Sequence, residues 1–146
     1  MLNFAPDQAY PGNGYVDVIG LDVYNTTWAP NGQDAASRWS YILTQPYGLN
    51  WLQTFAKLHR KPIAFPEWGT GTKPDGHGAG DDPLFVNNMS AWIANNNVVM
   101  QGYWDYNAWD YDAELSAGQF PLSAAAFSTD FAFPVSTAVR PRPVRH

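Results

Sequence analysis

Three short apolar runs, each closing on acidic and aromatic residues and each separated from the next by helix-forming sequence, restrict this chain to few folds. The first, Tyr15-Val16-Asp17-Val18-Ile19-Gly20-Leu21-Asp22-Val23-Tyr24, follows a Pro11-Gly12-Asn13-Gly14 turn. The second, Ile63-Ala64-Phe65-Pro66-Glu67-Trp68-Gly69, follows an Arg60-Lys61-Pro62 break, and the third runs from Val98 to Asp105. Strands apolar on both faces need cover on both, which is the habit of parallel sheets in α/β proteins. Between the runs, Ala35 to Leu43 reads as a short helix. Leu52, Phe55, Ala56 and His59 recur at helical spacing within Asn50 to Arg60, with Asn50 as N-cap and Gln53 three positions on. Asp82 reads as an N-cap with Pro83 at the first helical position, opening a helix whose stripe Phe85, Met89, Trp92 and Ile93 stops at Asn95. A last helix spans about Leu122 to Phe131. Strand and helix in alternation predict a parallel sheet with crossover helices, a pattern that barrels and open sheets both satisfy. The Gly-rich stretch from Thr70 to Asp81 reads as a flexible loop, and the residues beyond Pro134, without apolar periodicity, as a disordered tail.

Size and charge narrow the function classes. With 146 residues, 45% of them apolar, the chain can bury one ordinary core. It is short beside the roughly 250 residues of a complete eight-stranded α/β barrel. A net charge of -5 argues against a nucleic-acid partner, which needs clustered Lys and Arg; uncharged substrates fit better. Seven Trp and eight Tyr suit a cleft in which sugars stack on aromatic faces, and equally suit an aromatic-rich core. Without cysteine there is no disulfide framework, thiolate nucleophile or Cys-ligated zinc. No signal peptide or membrane span is visible, so no membrane partner is expected, and localisation stays open.

In parallel α/β folds the site lies at the carboxyl ends of the strands, and the unusual residues gather there: Asp22 and Tyr24, Glu67 and Trp68, Trp104 and Asp105. A carboxylate at the edge of an apolar strand costs free energy unless it is hydrogen-bonded or used chemically, which singles out Glu67; pairing with an Arg is its ordinary alternative. Asp75, His77, Asp81 and Asp82 lack an EF-hand spacing, and no phosphate-loop pattern follows Lys73, so neither a metal nor a nucleotide is expected.

Tyr15 to Tyr24, Phe65-Pro66-Glu67-Trp68-Gly69, Gln101-Gly102-Tyr103-Trp104-Asp105 and Gly118-Gln119-Phe120-Pro121 together resemble the C-terminal half of glycoside hydrolase family 26-like enzymes, β-mannanases and related β-glycanases of a retaining (β/α)₈-barrel clan. The resemblance runs from about Asn3 to Phe131. It implies a partial barrel in residues 1–133, with Leu2 to Pro6 as the tail of strand five, Val16 to Tyr24 as strand six, Ile63 to Glu67 as strand seven and Val98 to Trp104 as strand eight. It implies Glu67 as the nucleophile, Tyr24 as the hydroxyl that orients it, and Trp104 as the floor of the adjoining sugar subsite; Trp68, Asp105 and Asp22, beside them at the strand ends, read as further substrate contacts, with core packing the ordinary alternative for each aromatic. A β-linked polysaccharide or oligosaccharide would be the partner, and no cofactor or metal is implied. The family's acid/base follows strand four and so precedes this sequence; Asp105, Asp110, Asp112 and Glu114 show no spacing that marks a substitute. Two other readings stay open: a non-catalytic carbohydrate-binding half-barrel and an inactive truncated product. Open barrel edges, with Val18, Ile63 and Phe65 expected on an uncovered inner face, would favour a homodimer.

Overall fold

The structure, a computed structural model, describes residues 5–132; Leu2 to Phe4 and the tail from Pro134 lie outside the described residues. It is a mixed α/β fold with a parallel open sheet. After a 3-10 turn at Pro6–Ala9 come strands β1 (Ile19–Gly20) and β2 (Val23–Asn25), helices α1 (Ala35–Thr44) and α2 (Leu49–His59), strand β3 (Ile63–Thr70), helix α3 (Pro83–Ala94), strand β4 (Val98–Tyr103) and helix α4 (Pro121–Asp130). Strand β3 is central. The short strands β1 and β2 run along one of its edges and β4 along the other, all parallel to it.

The strands thus follow chain order in space, and the right-handedness of parallel crossovers puts the connecting helices on one face. There α3 packs against α1 on one side and α4 on the other, and α1 against α2. Ile63, Phe65 and Trp68 of β3 sit under this layer in one cluster with Leu49, Leu52 and Ala56 of α2 and Phe85, Val86 and Met89 of α3. Ile63 and Phe65, expected on an uncovered inner face, are therefore core residues; Val18 is the exposed one.

Pro66 decides the shape of β3. It has no N–H to give to either neighbour, so a central strand can hold it only where the ladder is interrupted. On one edge Gly20 stands opposite Ala64 and Val23 opposite Trp68, leaving Leu21 and Asp22 to face Phe65, Pro66 and Glu67. On the other, Phe65 is opposite Gln101 and Trp68 opposite Tyr103, leaving Gly102 alone to face Pro66 and Glu67. Strand β3 thus carries one extra residue on both sides, a bulge. Gly102 has to be glycine here, because a Cβ would stand 2.9 Å from the Pro66 carbonyl oxygen. Strict alternation would send Phe65 and Trp68 to opposite faces. With the extra residue both enter the helix layer, Phe65 against Trp92 at 5.4 Å and Trp68 against Phe85 at 5.9 Å, and Glu67 is turned to the other face.

Three sequence expectations are corrected. The run from Tyr15 to Tyr24 is not one strand: pairing begins at Ile19, and the break at Leu21 and Asp22 lies opposite Pro66. Helix α2 is capped at Gly48 rather than Asn50, with no side-chain cap bond, and it ends at Arg60 in the left-handed conformation. Pro6, expected at the end of a strand, opens the 3-10 turn. The Asp82 cap holds as expected, its side chain accepting from Phe85 N with Pro83 behind it.

Candidate functional site

Beyond the bulge, β2 and β3 regain register, pairing Tyr24 with Gly69 and Asn25 with Thr70. This sets the Tyr24 ring beside Glu67, and its hydroxyl donates to Glu67 Oε2 at 2.9 Å. The two side chains, with Trp104 at the end of β4, line a cleft of about 290 Å³ that also takes in Thr26, Lys73, Ala108, Asp110 and Tyr111. Burial, then the hydrogen bond and charge of Glu67, push the Tyr24 phenol above its ordinary range. Tyr24 therefore stays protonated through neutral pH and keeps donating to Glu67 there. Tyr111 packs edge-on to Tyr24 with ring centres 4.9 Å apart and donates its own hydroxyl to the Asn25 carbonyl. Lys73 reaches in from the β3 loop, donating to the Asp110 carbonyl with its ammonium 5.6 Å from the centre of the Tyr111 ring.

A buried polar cluster holds the strand ends from below. Asn25 Nδ2 donates to Asp82 Oδ2 at 2.8 Å and to Thr70 Oγ1 at 3.2 Å, and Thr70 Oγ1 donates to the Gly80 carbonyl. Asp82 forms a buried ion pair with Arg38 of α1 at 2.6 Å, while Arg38 also donates to the Gly32 carbonyl. One carboxylate thus accepts from the end of β2, pairs with α1 and caps α3. Stripping such a pair of one partner typically costs about 3–5 kcal/mol, since a charge is left buried alone.

The loops above are joined to one another. Thr26 bridges Gly78, and Thr72 bridges Asp112 through a pair of 2.9 Å backbone bonds. Glycine in the stretch read as flexible serves close approach: a Cβ at Gly71 would collide with the Asp112 carbonyl. Its polar residues are used separately. Asp75 accepts from His77 N, and Asp81 accepts from Leu122 N and Ser123 N at the start of α4. No group of three or more His, Asp or Glu side chains able to hold a metal occurs among the described residues.

Of the six residues singled out in the sequence, Glu67, Tyr24 and Trp104 meet in the cleft. Trp68 does not: it is 0% exposed, its indole N–H donates to Gln101 Oε1 and its ring packs on Tyr103 and Phe127, so the expectation that it touches substrate is corrected. Asp105 accepts from Ser116 N, and Asp22 lies in a neighbouring groove with Tyr47 and Leu49. Tyr111, Lys73 and the Arg38–Asp82–Asn25 cluster went unread. The sequence marks Asp82 as a cap and sets it among the carboxylates weighed against a metal, and nothing local to Arg38 or Asn25 tells that they meet it across 44 and 57 residues of chain.

No family model matches the chain, and no curated protein and no solved structure is significantly similar to it. No helix among the described residues is long and apolar enough to cross a membrane.

Three phenols at this site carry a pH dependence. Burial is the largest cause in each: it raises Tyr24 and Tyr111 above the ordinary tyrosine range and pushes Tyr103 up to about 12. Groups whose folded pKa is raised contribute stability that is complete below the unfolded value, near 10, and is lost as pH rises through the folded one. Tyr103→Phe and Tyr111→Phe should therefore leave tyrosinate absorbance near pH 10 unchanged and remove amplitude only at higher pH. Loss of amplitude near pH 10 would contradict the burial argument.

Proposed function

We propose that the chain is part of a retaining β-glycanase barrel, resembling glycoside hydrolase family 26, with Glu67 as nucleophile. The observation that carries this reading is the Tyr24 to Glu67 hydrogen bond, made where two parallel strands end in an aromatic-lined cleft. A glutamate held through one oxygen by a neutral phenol keeps the other free to attack: among the described residues Oε1 accepts no hydrogen bond. In the proposed step that oxygen bonds to the anomeric carbon, the glycosidic C–O bond breaks, and a protonated carboxyl delivers a proton to the departing oxygen. Water then cleaves the glycosyl ester. Trp104 would lie under the sugar ring. The arrangement of consecutive parallel strands under one helix layer supports an arc of a (β/α)₈ barrel, covering strands six to eight in the described residues.

The resemblance places the proton donor after strand four, and none of the residues matched here corresponds to that position. Acid assistance is worth about 10² to 10⁴ in rate. The purified chain should accordingly hydrolyse activated aryl β-glycosides slowly and unactivated mannan or glucan hardly at all. Tyr24→Phe removes a bond to a charged group, worth about 1.5–3 kcal/mol, and should slow aryl glycoside cleavage about 10- to 100-fold; Glu67→Ala should abolish it. Full activity in Glu67→Ala would refute the assignment. Oligosaccharide binding without cleavage of any substrate would favour the non-catalytic reading.

Self-association belongs to the same proposal. Among the described residues β4 and the β1–β2 edge pair only with β3, and Val99 and Met100 are exposed on β4. Two such arcs can close on each other about a two-fold axis. Light scattering on the purified chain should report a dimer, and a monomer that binds no hydrophobic dye would contradict the open-edged arc.

A further inference from the structure

Several large aromatic residues are left in solvent, and their placement separates them. Tyr15 precedes β1, at the end of the sheet away from the cleft. Trp109 lies between the cleft-lining Ala108 and Asp110, but at 90% exposure it packs on no other aromatic ring among the described residues. Trp28 is different. It lies two residues beyond Thr26, which lines the cleft, so its Cα is within about 7 Å of the Thr26 Cα. Its ring is stacked on the His77 imidazole, centres 3.4 Å apart and planes 17° from parallel, yet Trp28 remains 60% exposed. The imidazole covers one face of the indole, and most of the Trp28 surface stays in solvent.

The support under this ring is built from two loops. Thr27 N donates to the His77 carbonyl at 2.9 Å, Thr27 Oγ1 and His77 Nδ1 share a 3.2 Å hydrogen bond, and Asp75 accepts from His77 N. The neighbouring Thr26–Gly78 bridge ties the same loops at the cleft wall. A rotamer fixed in advance spares a ligand the ordering cost that a free surface tryptophan would impose. A flat apolar face beside polar loop groups suits the C–H face of a pyranose.

We propose that Trp28, braced by His77, is a binding platform for a sugar unit beyond the cleft, on the same glycan chain whose scissile bond lies over Glu67. This rests on the reading of the cleft as a glycan site and deepens it. The ligand class is a neutral β-linked chain long enough to reach from Trp104 past Thr26 to Trp28, which makes the site one for polymer rather than for a single terminal sugar.

Calorimetric titration of the purified chain with β-1,4-linked manno- and gluco-oligosaccharides, as trisaccharides and hexasaccharides, tests this. The wild type should bind one hexasaccharide more tightly than its trisaccharide. Trp28→Ala should weaken that hexasaccharide about tenfold and leave the trisaccharide unchanged, Trp28→Phe should restore most of the loss, and Trp104→Ala should weaken both lengths. Equal affinity of wild type and Trp28→Ala for the hexasaccharide would overturn the platform while leaving the cleft reading intact. So would equal losses at both lengths, which would mark Trp28 as a support of the cleft wall. A Trp28→Ala effect confined to self-association in light scattering would make it a protein contact instead, and binding of no oligosaccharide by the wild type would overturn the cleft reading and the platform with it.

Discussion

A proline in the middle of the central strand is the constraint around which this molecule is arranged. Pro66 cannot take part in either ladder as a donor, so both neighbours change register beside it: β1 and β2 are separated there, and β4 spans the gap with Gly102. Without the extra residue, Glu67 would take the parity that places Phe65 in the helix layer. With it, Trp68 fills that layer and a carboxylate next to it in sequence faces an open cleft. Burying an unpaired carboxylate among Phe85, Phe127 and Trp92 would carry a large desolvation cost, so the bulge reconciles an apolar strand with an acid inside it.

What the bulge exposes, polar contacts then hold in place. Asn25 and Thr70, paired across β2 and β3, are the residues that the buried cluster ties to Asp82, while Tyr111 tethers the β4 loop to the Asn25 carbonyl. Tyr24 precedes Asn25 and Glu67 lies three residues before Thr70, so the Tyr24 to Glu67 separation depends on strands clamped just beyond it. A cluster of this kind stabilises little in net terms, because the desolvation of Arg38 and Asp82 offsets much of their attraction. What it does is tie β2, α1 and α3 through one carboxylate and β3 through Asn25, so that the strand ends carrying Tyr24 and Glu67 share one buried contact.

Much of this was legible in the sequence, for identifiable reasons. Apolar runs and helical spacing marked β3, β4, α1 and α3, and the Asp82-Pro83 pair marked one helix start, because these signals are local. The first strand is overextended in the sequence since Val16 and Val18 look like strand residues, whereas pairing starts only where Ile19 meets Ile63, the first residue of β3, and breaks again opposite Pro66. Trp68 shows the same limit: it sits beside Glu67 in sequence, but its direction follows from a bulge that no local pattern announces. The Gly-rich loop reads as flexible because glycine permits disorder, yet at Gly71 it permits the approach of the Asp112 carbonyl. Arg38, Asn25 and Tyr111 meet the site only through the fold.

The central claim is that Glu67 is a nucleophile presented by Tyr24 at a sugar site. A glycosyl fluoride carrying fluorine at C2 tests this without acid assistance, because fluoride departs unaided while the electron-poor sugar slows hydrolysis of the ester that forms. Incubation of the chain with 2-deoxy-2-fluoro-β-mannosyl and β-glucosyl fluorides, extended by further sugars to fill the cleft, followed by peptide mass spectrometry, should place one glycosyl adduct on the peptide containing Glu67. The adduct should be absent in Glu67→Ala and slower to form in Tyr24→Phe. An adduct on another carboxylate, or none with either sugar in a chain that binds oligosaccharide, would contradict the account.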